Sequence, residues 1–297
     1  MTRYIMSDPM ETATGATARI FAQSRRELGA PFAPHLAPVP ALHAATWTLL
    51  RESLLAGEAP RARKEAAALA VSVANRCPFC IDAHGALLHA TGAHRLARAV
   101  LRGETPPDPD DAAVVTWASA SGSGLGPVPA PPSQAAEFAG TVLVSHFINR
   151  MVDVLRPGSL LISPLRRLAG AALSRRVRRP VRANDSIGTA YACFSWEAHA
   201  GGELLSPPSR RLVSEAVADW NGEHPPPGDP WLPRTVASAP AAEREAVRLA
   251  LLAAVAPYRL TVAPELRTDE RTVRIVAFGA VTAVERIAGE TFRAGTP

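Results

Sequence analysis

The sequence predicts an all-α protein. Three observations carry that expectation. Alternating runs of β-branched residues, the mark of half-buried strands, are scarce. Aromatic residues make up 5% of the 297-residue chain, and alanine is abundant, which suits closely packed helices. Proline and glycine recur at intervals that leave helix-length segments between them.

The segments follow in order. Residues 1–40 are polar, then rich in proline (Pro31, Pro34, Pro38, Pro40), and read as a poorly ordered lead-in. Residues 42–55 read as a helix carrying Leu49, Leu50, Leu54 and Leu55, ended by Gly57 and Pro60. An Ala/Leu/Val-rich helix spans 61–74, and the chain breaks at 75–78. A helix from 78 to 90 closes at Gly92, and a short one covers 93–101. After a proline loop, 111–120 forms a helix whose acidic first turn complements the helix dipole. A long apolar helix occupies 133–155 and ends at Pro157–Gly158.

Residues 157–183 form an arginine-rich linker or surface helix, with Leu160, Leu161, Leu165, Leu168 and Leu173 as its apolar side. A second helical half, 184–297, has segments at 185–200, 209–220, 241–256 and 269–289. The expected organisation is therefore a lead-in (1–40), a chemically equipped helical domain (41–156), the arginine-rich joint (157–183) and a half without the motif described below (184–297). Shifting the chain by 180 residues places Glu65 on Glu245, but Cys77, Cys80 and His84 on Pro257, Leu260 and Pro264. The second half thus reads as a degenerate copy whose role is packing.

Composition narrows the function. Three cysteines are too few for a disulfide-framework secreted domain. The first thirty residues contain no continuous apolar run and carry Asp8 and Glu11, so no secretory leader is expected. The apolar runs near 66–74 and 249–257 are shorter than the ~18–20 residues of a bilayer span. A cytoplasmic protein without a membrane partner is the expectation. The net charge of +5 does not point to nucleic acid. Residues 156–182 hold eight arginines and no acid, which leaves the rest of the chain at −3.

One cluster carries chemistry: Cys77-Pro78-Phe79-Cys80-Ile81-Asp82-Ala83-His84. In a reducing compartment a C-x-x-C serves redox chemistry or metal binding. Proline favours the first helical position and pushes its predecessor out of the α region. The helix should therefore start at Pro78 with Cys77 as its N-cap, where free N–H groups and the dipole stabilise thiolate. At about 100° per residue, Cys77, Cys80 and His84 share a stripe about 60° wide. His84 lies four residues beyond Cys80, within reach of its thiol. A base needs an orienting group, and Glu65 on the preceding helix is the candidate, brought back by the break at 75–78. The N-cap position favours Cys77 as thiolate, whereas His84 favours Cys80.

The pattern Glu65–x11–Cys77–x2–Cys80–x3–His84 resembles the active-site signature of the AhpD-like alkylhydroperoxidases, in the carboxymuconolactone decarboxylase superfamily. Arg61 and Lys64 ahead of the acid, Asn75 before the first cysteine and Gly85 after His84 also resemble it, as does the helix around His146–Asp153. The resemblance covers about 42–155. It implies a helical, often oligomeric protein that reduces hydroperoxides or disulfides. By that resemblance Cys80 is the attacking thiolate, Cys77 resolves it through a Cys77–Cys80 disulfide, His84 deprotonates Cys80 and Glu65 orients His84. Neither a metal nor a bound cofactor is implied. The partners are a homo-oligomer mate and an external thiol reductant, lipoyl- or thioredoxin-type. Phe79 departs from the pattern, because the best-known members carry histidine between the cysteines.

Two other readings compete. In one the dithiol is silent or senses redox state. In the other the chain is a zinc-binding scaffold, with Cys193 and His199 completing the site. Cys193 reads as a buried hydrophobe, and Asp82, His89 and His94 as solvated or helix-terminal.

Overall fold

The computed structural model describes residues 13–156, 160, 165–226, 228–259 and 269–293. It is all-α: among the described residues there are thirteen α-helices and no strand, only one isolated bridge between Ala56 and Val181. Five helices begin on proline: α2 (Pro40–Leu50), α4 (Pro78–Ala90), α6 (Pro109–Ala120), α7 (Pro132–Leu155) and α10 (Pro207–Ala218). Proline costs no hydrogen bond there, because the first turn has no intrahelical acceptor for its N–H. Between these lie α1 (Gly15–Glu27), α3 (Arg61–Ala74), α5 (His94–Arg102), α8 (Arg166–Val177) and α9 (Ile187–His199). The chain closes with α11 (Trp231–Ala237), α12 (Arg244–Val255) and α13 (Glu270–Arg293).

α7 is the central element. It packs against α2, α3, α9, α12 and α13, and Phe138, Val142, Leu143, Phe147 and Met151 are fully buried along it. By length and composition α7 could cross a membrane, but 89% of its apolar window is buried within the protein. A helix apolar on every side is a core helix when protein surrounds it. The covering helices come from both halves of the chain. One continuous core joins Leu49, Leu69 and Phe147 to Phe194, Val276 and Val284. Phe147 meets Phe194 edge-on, with ring centroids 4.7 Å apart. The segments 41–156 and 184–297 therefore share a core, and the second half adds a smaller one around Val213, Val247 and Leu251.

The lead-in differs from expectation. Residues 1–12 lie outside the described residues, but 13–40 are ordered. α1 buries Ile20 and Phe21, and Phe32, Leu36 and Val39 continue into the core. Ser24 Oγ accepts from the Phe32 N–H at 3.0 Å, and Glu27 pairs with Arg51 of the short helical extension after α2 at 2.8 Å. The prolines shape a turn between two anchored apolar patches; they do not mark disorder.

The arginine-rich stretch forms α8, which lies on α4. Its buried face is Gly170 and Val177 with Leu173 packed beside them, so Leu173 of the expected row of leucines takes part. Leu165 and Leu168 are 50% and 67% exposed, and Leu161 lies outside the described residues. Gly170 decides this face: a Cβ there would stand 2.6 Å from the Ala86 carbonyl oxygen. The backbones approach so closely that only glycine fits. Of the positions that the 180-residue shift pairs with the motif, Leu260 and Pro264 lie outside the described residues.

Candidate active site

The turn between α3 and α4 sets the geometry. Arg76 takes a left-handed conformation at φ 59°, which reverses the chain in three residues. The Cys77 N–H bonds back to the Ser72 carbonyl at 3.1 Å. Asn75 Nδ2 donates to His146 Nδ1 at 3.1 Å and to Asn149 Oδ1 at 3.2 Å, and Asn149 Nδ2 donates to Ser72 Oγ at 3.3 Å. The reversal is thereby pinned to α7, and α4 lies back along α3.

Cys77 is the N-cap of α4 in extended geometry, and Pro78 opens the helix, as the sequence predicts. Both sulfurs are buried against Val152, Ile148 and Phe79. The Cys77 thiol donates to Cys80 Sγ at 2.8 Å. The Arg156 guanidinium lies 4.4 Å from the Phe79 ring centroid, a cation–π contact at the position of the departure from the family pattern.

The α3–α4 hairpin brings Glu65 to His84. The His84 Nδ1–H donates to Glu65 Oε2 at 2.8 Å. Glu65 is fully buried, and Arg61, one turn earlier, donates to its other oxygen from Nη2 at 2.5 Å and Nε at 2.9 Å. Burial acts to raise the Glu65 carboxyl, but the Arg61 charge and the bond from His84 override it and hold the group below the ordinary carboxylate range. Arg61 is thus a member of the chain that sequence reasoning did not assign, although its i, i+4 spacing to Glu65 was the available signal.

His84 does not hydrogen-bond to Cys80 among the described residues. Its Nδ1 is committed to Glu65, so Nε2 is the nitrogen left to take or give a proton. This orientation fixes the tautomer, as carboxylate partners of catalytic imidazoles do.

Burial, the neighbouring Cys80 sulfur and the Asp153 charge together push the Cys77 thiol well up. The Cys80 backbone N–H bonded to Cys77 Sγ acts the other way and is outweighed. The N-cap advantage that favoured Cys77 in the sequence is therefore overridden by burial. Asp153 lies beside the Cys77 sulfur, and one of its oxygens is buried with no partner among the described residues. Burial raises its carboxyl to about 7, although the neighbouring Cys77 thiol and Arg150 oppose this.

Three readings are corrected. Asp82 is buried, not solvated, and is paired with Arg166 of α8 at 2.6 Å. Cys193 is exposed, because α9 buries Ala190, Tyr191, Phe194 and Ala198 instead. His199 pairs with Glu285 at 3.4 Å, so neither it nor Cys193 joins the dithiol. Among the described residues no group of three His, Cys, Asp or Glu side chains is placed to hold a metal ion.

Lys64, the only lysine, braces the site from behind. It is buried, and it donates to Glu137 Oε2 of α7 at 2.6 Å and to the Ala56 carbonyl. Glu137 also accepts from the Glu58 N–H at 2.7 Å and the Ala59 N–H at 3.1 Å.

Comparison with known proteins identifies the family. Residues 41–116 match the model of the carboxymuconolactone decarboxylase family, a span that contains Glu65, Cys77, Cys80 and His84. The chain is 38% identical over 313 aligned residues to a Mycobacterium tuberculosis protein named alkyl hydroperoxide reductase Rv2159c. That alignment covers 93% of this chain and 90% of the relative, so the likeness extends through the C-terminal helices as well. No solved structure matches. On this evidence the chain belongs to the AhpD-like carboxymuconolactone decarboxylase superfamily.

Proposed function

We propose that this protein is a thiol-dependent peroxidase that reduces hydroperoxides through Cys80 and Cys77. The observation that carries the reading is the buried chain Arg61–Glu65–His84 ending beside two sulfurs 2.8 Å apart. The name of the M. tuberculosis relative supports the same class of reaction.

Cys80 is the attacking sulfur, since it accepts a hydrogen bond from the Cys77 S–H and Cys77 is held as a thiol by burial. The Cys80 thiolate attacks the terminal oxygen of ROOH, and the O–O bond breaks. The alcohol ROH departs with the proton that His84 Nε2 took from the Cys80 thiol, and Cys80 becomes a sulfenic acid. Cys77 then loses its proton, with Asp153 as its near acceptor, and attacks the Cys80 sulfur. The S–O bond breaks, water leaves, and a Cys77–Cys80 disulfide forms. An external dithiol of lipoyl or thioredoxin type restores both thiols by exchange. Glu65 holds the imidazole in the tautomer that presents Nε2, and Arg61 keeps Glu65 ionised. No resident metal or cofactor enters this sequence.

The test is a thiol count before and after one equivalent of hydroperoxide, followed by turnover with dihydrolipoamide. Loss of two thiols, abolished in Cys80→Ser, supports the proposal. Two thiols that persist in the presence of peroxide reject it and favour a silent dithiol.

A further inference from the structure

We propose that the cavity between the α3–α4 turn, the middle of α7 and the segment after α10 binds a small organic anion bearing a carboxylate or phosphate group. The cavity encloses about 350 Å³. That volume is within the range of small-molecule sites. Its walls include Asn75, Arg76, His146, Arg150, Trp220 and His224.

The buried guanidinium at this cavity has no carboxylate in ion-pairing contact among the described residues. Arg150 is 3% exposed. Its Nε donates to the Ala254 carbonyl at 3.1 Å, and Nη1 donates to the His146 carbonyl at 3.0 Å and to His146 Nδ1 at 3.1 Å. These acceptors are neutral, and Nη2 has no hydrogen bond among the described residues. A second guanidinium, Arg286, lies 5.2 Å from the Trp220 ring centroid, with Arg150 at 5.7 Å from the same ring. Arg76 adds a third at the exposed edge. None of the three has a carboxylate within ion-pairing distance among the described residues. Burial brings Arg150 down to about 10, with Asp153 opposing and Arg286 adding to the effect. A buried charge held against neutral groups is costly, and an anion in the cavity relieves that cost.

The other polar groups do not supply the missing charge. His146 Nδ1 accepts from both Asn75 and Arg150, and Ser121 Oγ sends its hydrogen to the Ala118 carbonyl, so His146 Nε2–H donates to Ser121. His146 is therefore neutral, in keeping with burial and Arg150 holding it well below its ordinary value. His224 Nε2–H donates to the Ala74 carbonyl at 2.9 Å and closes one wall. Glu223 is the one carboxylate of the lining, and it is exposed. Guanidinium groups bind planar carboxylates and phosphates through paired N–H donors, and Arg150 Nη2 has such donors to offer. Trp220, Glu223, His224, Val255 and Pro257 lie outside the span matched by the family model, so the C-terminal half supplies one wall of the cavity. The dithiol does not line it, and the proposal does not rest on the peroxidase reading.

The experiment is isothermal titration of the full chain with benzoate and, separately, inorganic phosphate, in low-salt buffer. Saturable binding of at least one probe near one per chain is expected, with Kd at or below about 1 mM. Binding of benzoate alone assigns a carboxylate ligand, and binding of phosphate alone assigns a phosphate ester. Arg150→Gln weakens it about tenfold and Arg150→Lys less, because lysine keeps the charge but not the fork. Cys80→Ser leaves it unchanged. Arg76→Gln, at an exposed position, weakens it several-fold and decides the matter where Arg150→Gln does not fold by circular dichroism. No saturable heat with either probe, or affinity unchanged in folded Arg76→Gln and Arg150→Gln, overturns the proposal.

Discussion

Glu65 Oε2 stands 2.8 Å from His84 Nδ1, although nineteen residues separate them in sequence. The pair exists because Arg76 reverses the chain and Asn75 fastens the reversal to α7. It leaves the imidazole's second nitrogen, Nε2, free of Glu65. His84→Ala should therefore slow peroxide-driven disulfide formation at neutral pH by about 10²-fold or more, the usual worth of a positioned base. Glu65→Gln should slow it less, since the ring remains but its tautomer is no longer enforced. Stopped-flow measurement of thiol loss reads both, and an unchanged rate in His84→Ala removes that residue from the relay.

Lys64 and Glu137 join α3 to α7 inside the protein. Burial pulls the Lys64 ammonium down, and Glu137 opposes that pull. Lys64→Met leaves Glu137 buried with only the N–H groups of Glu58 and Ala59. A loss of roughly 3 kcal/mol is expected from the stranded charge. Lys64→Met combined with Glu137→Gln should recover part of it. Urea unfolding midpoints of the two variants make the comparison, and equal losses would contradict the account.

Asp153 gives a pH signature. Its carboxyl is raised from 3.8 to about 7 in the folded protein, chiefly by burial. The native state then holds this proton more tightly than the unfolded chain does. Its contribution is present in full below 3.8 and is lost as pH rises toward about 7. Asp153→Asn should gain stability over the parent across that window, with the difference levelling off above about 7. Glu65 works in the opposite sense, because its carboxyl is lowered. Its contribution is present above the ordinary value of 4.5 and disappears as pH falls through the lowered one. Denaturation midpoints at a series of pH values separate the two.

Gly170 tests the docking of α8 on α4. A Cβ there would lie 2.6 Å from the Ala86 carbonyl oxygen and 2.8 Å from His89 Cβ. Gly170→Ala should cost about 1–3 kcal/mol, as overpacking does. It should also weaken the Arg166–Asp82 pair. Thermal unfolding measures the first, and faster amide exchange in α8 reports the second. A melting temperature unchanged by the substitution would mean that α8 does not bear on α4.

Much of the site was legible because its spacing is local. Cys77, Cys80 and His84 fall on one stripe of one helix, and a proline marks where that helix starts. Glu65 followed from the need for an orienting group and from the break at 75–78. Arg61 was legible in principle, one turn from Glu65, and was passed over. Asp82 and Arg166 were not, because eighty-four residues separate them and each looks solvated by itself. Cys193 was misjudged because its burial depends on which side of α9 meets the core.

The sequence by itself determined the all-α class, the start of α4 at Pro78 and the presentation of two thiols and a histidine together. These depend on backbone torsions and a 3.6-residue period, which neighbouring residues dictate. Only the tertiary structure decided that burial pushes the Cys77 thiol up, which oxygen of Glu65 meets which partner, and that both halves contribute to one core. Those outcomes depend on burial and on charges brought close by chain reversal. Desolvation at Cys77 overrode the helix dipole because the sulfur is enclosed by α7, a helix that begins fifty-five residues later in the chain.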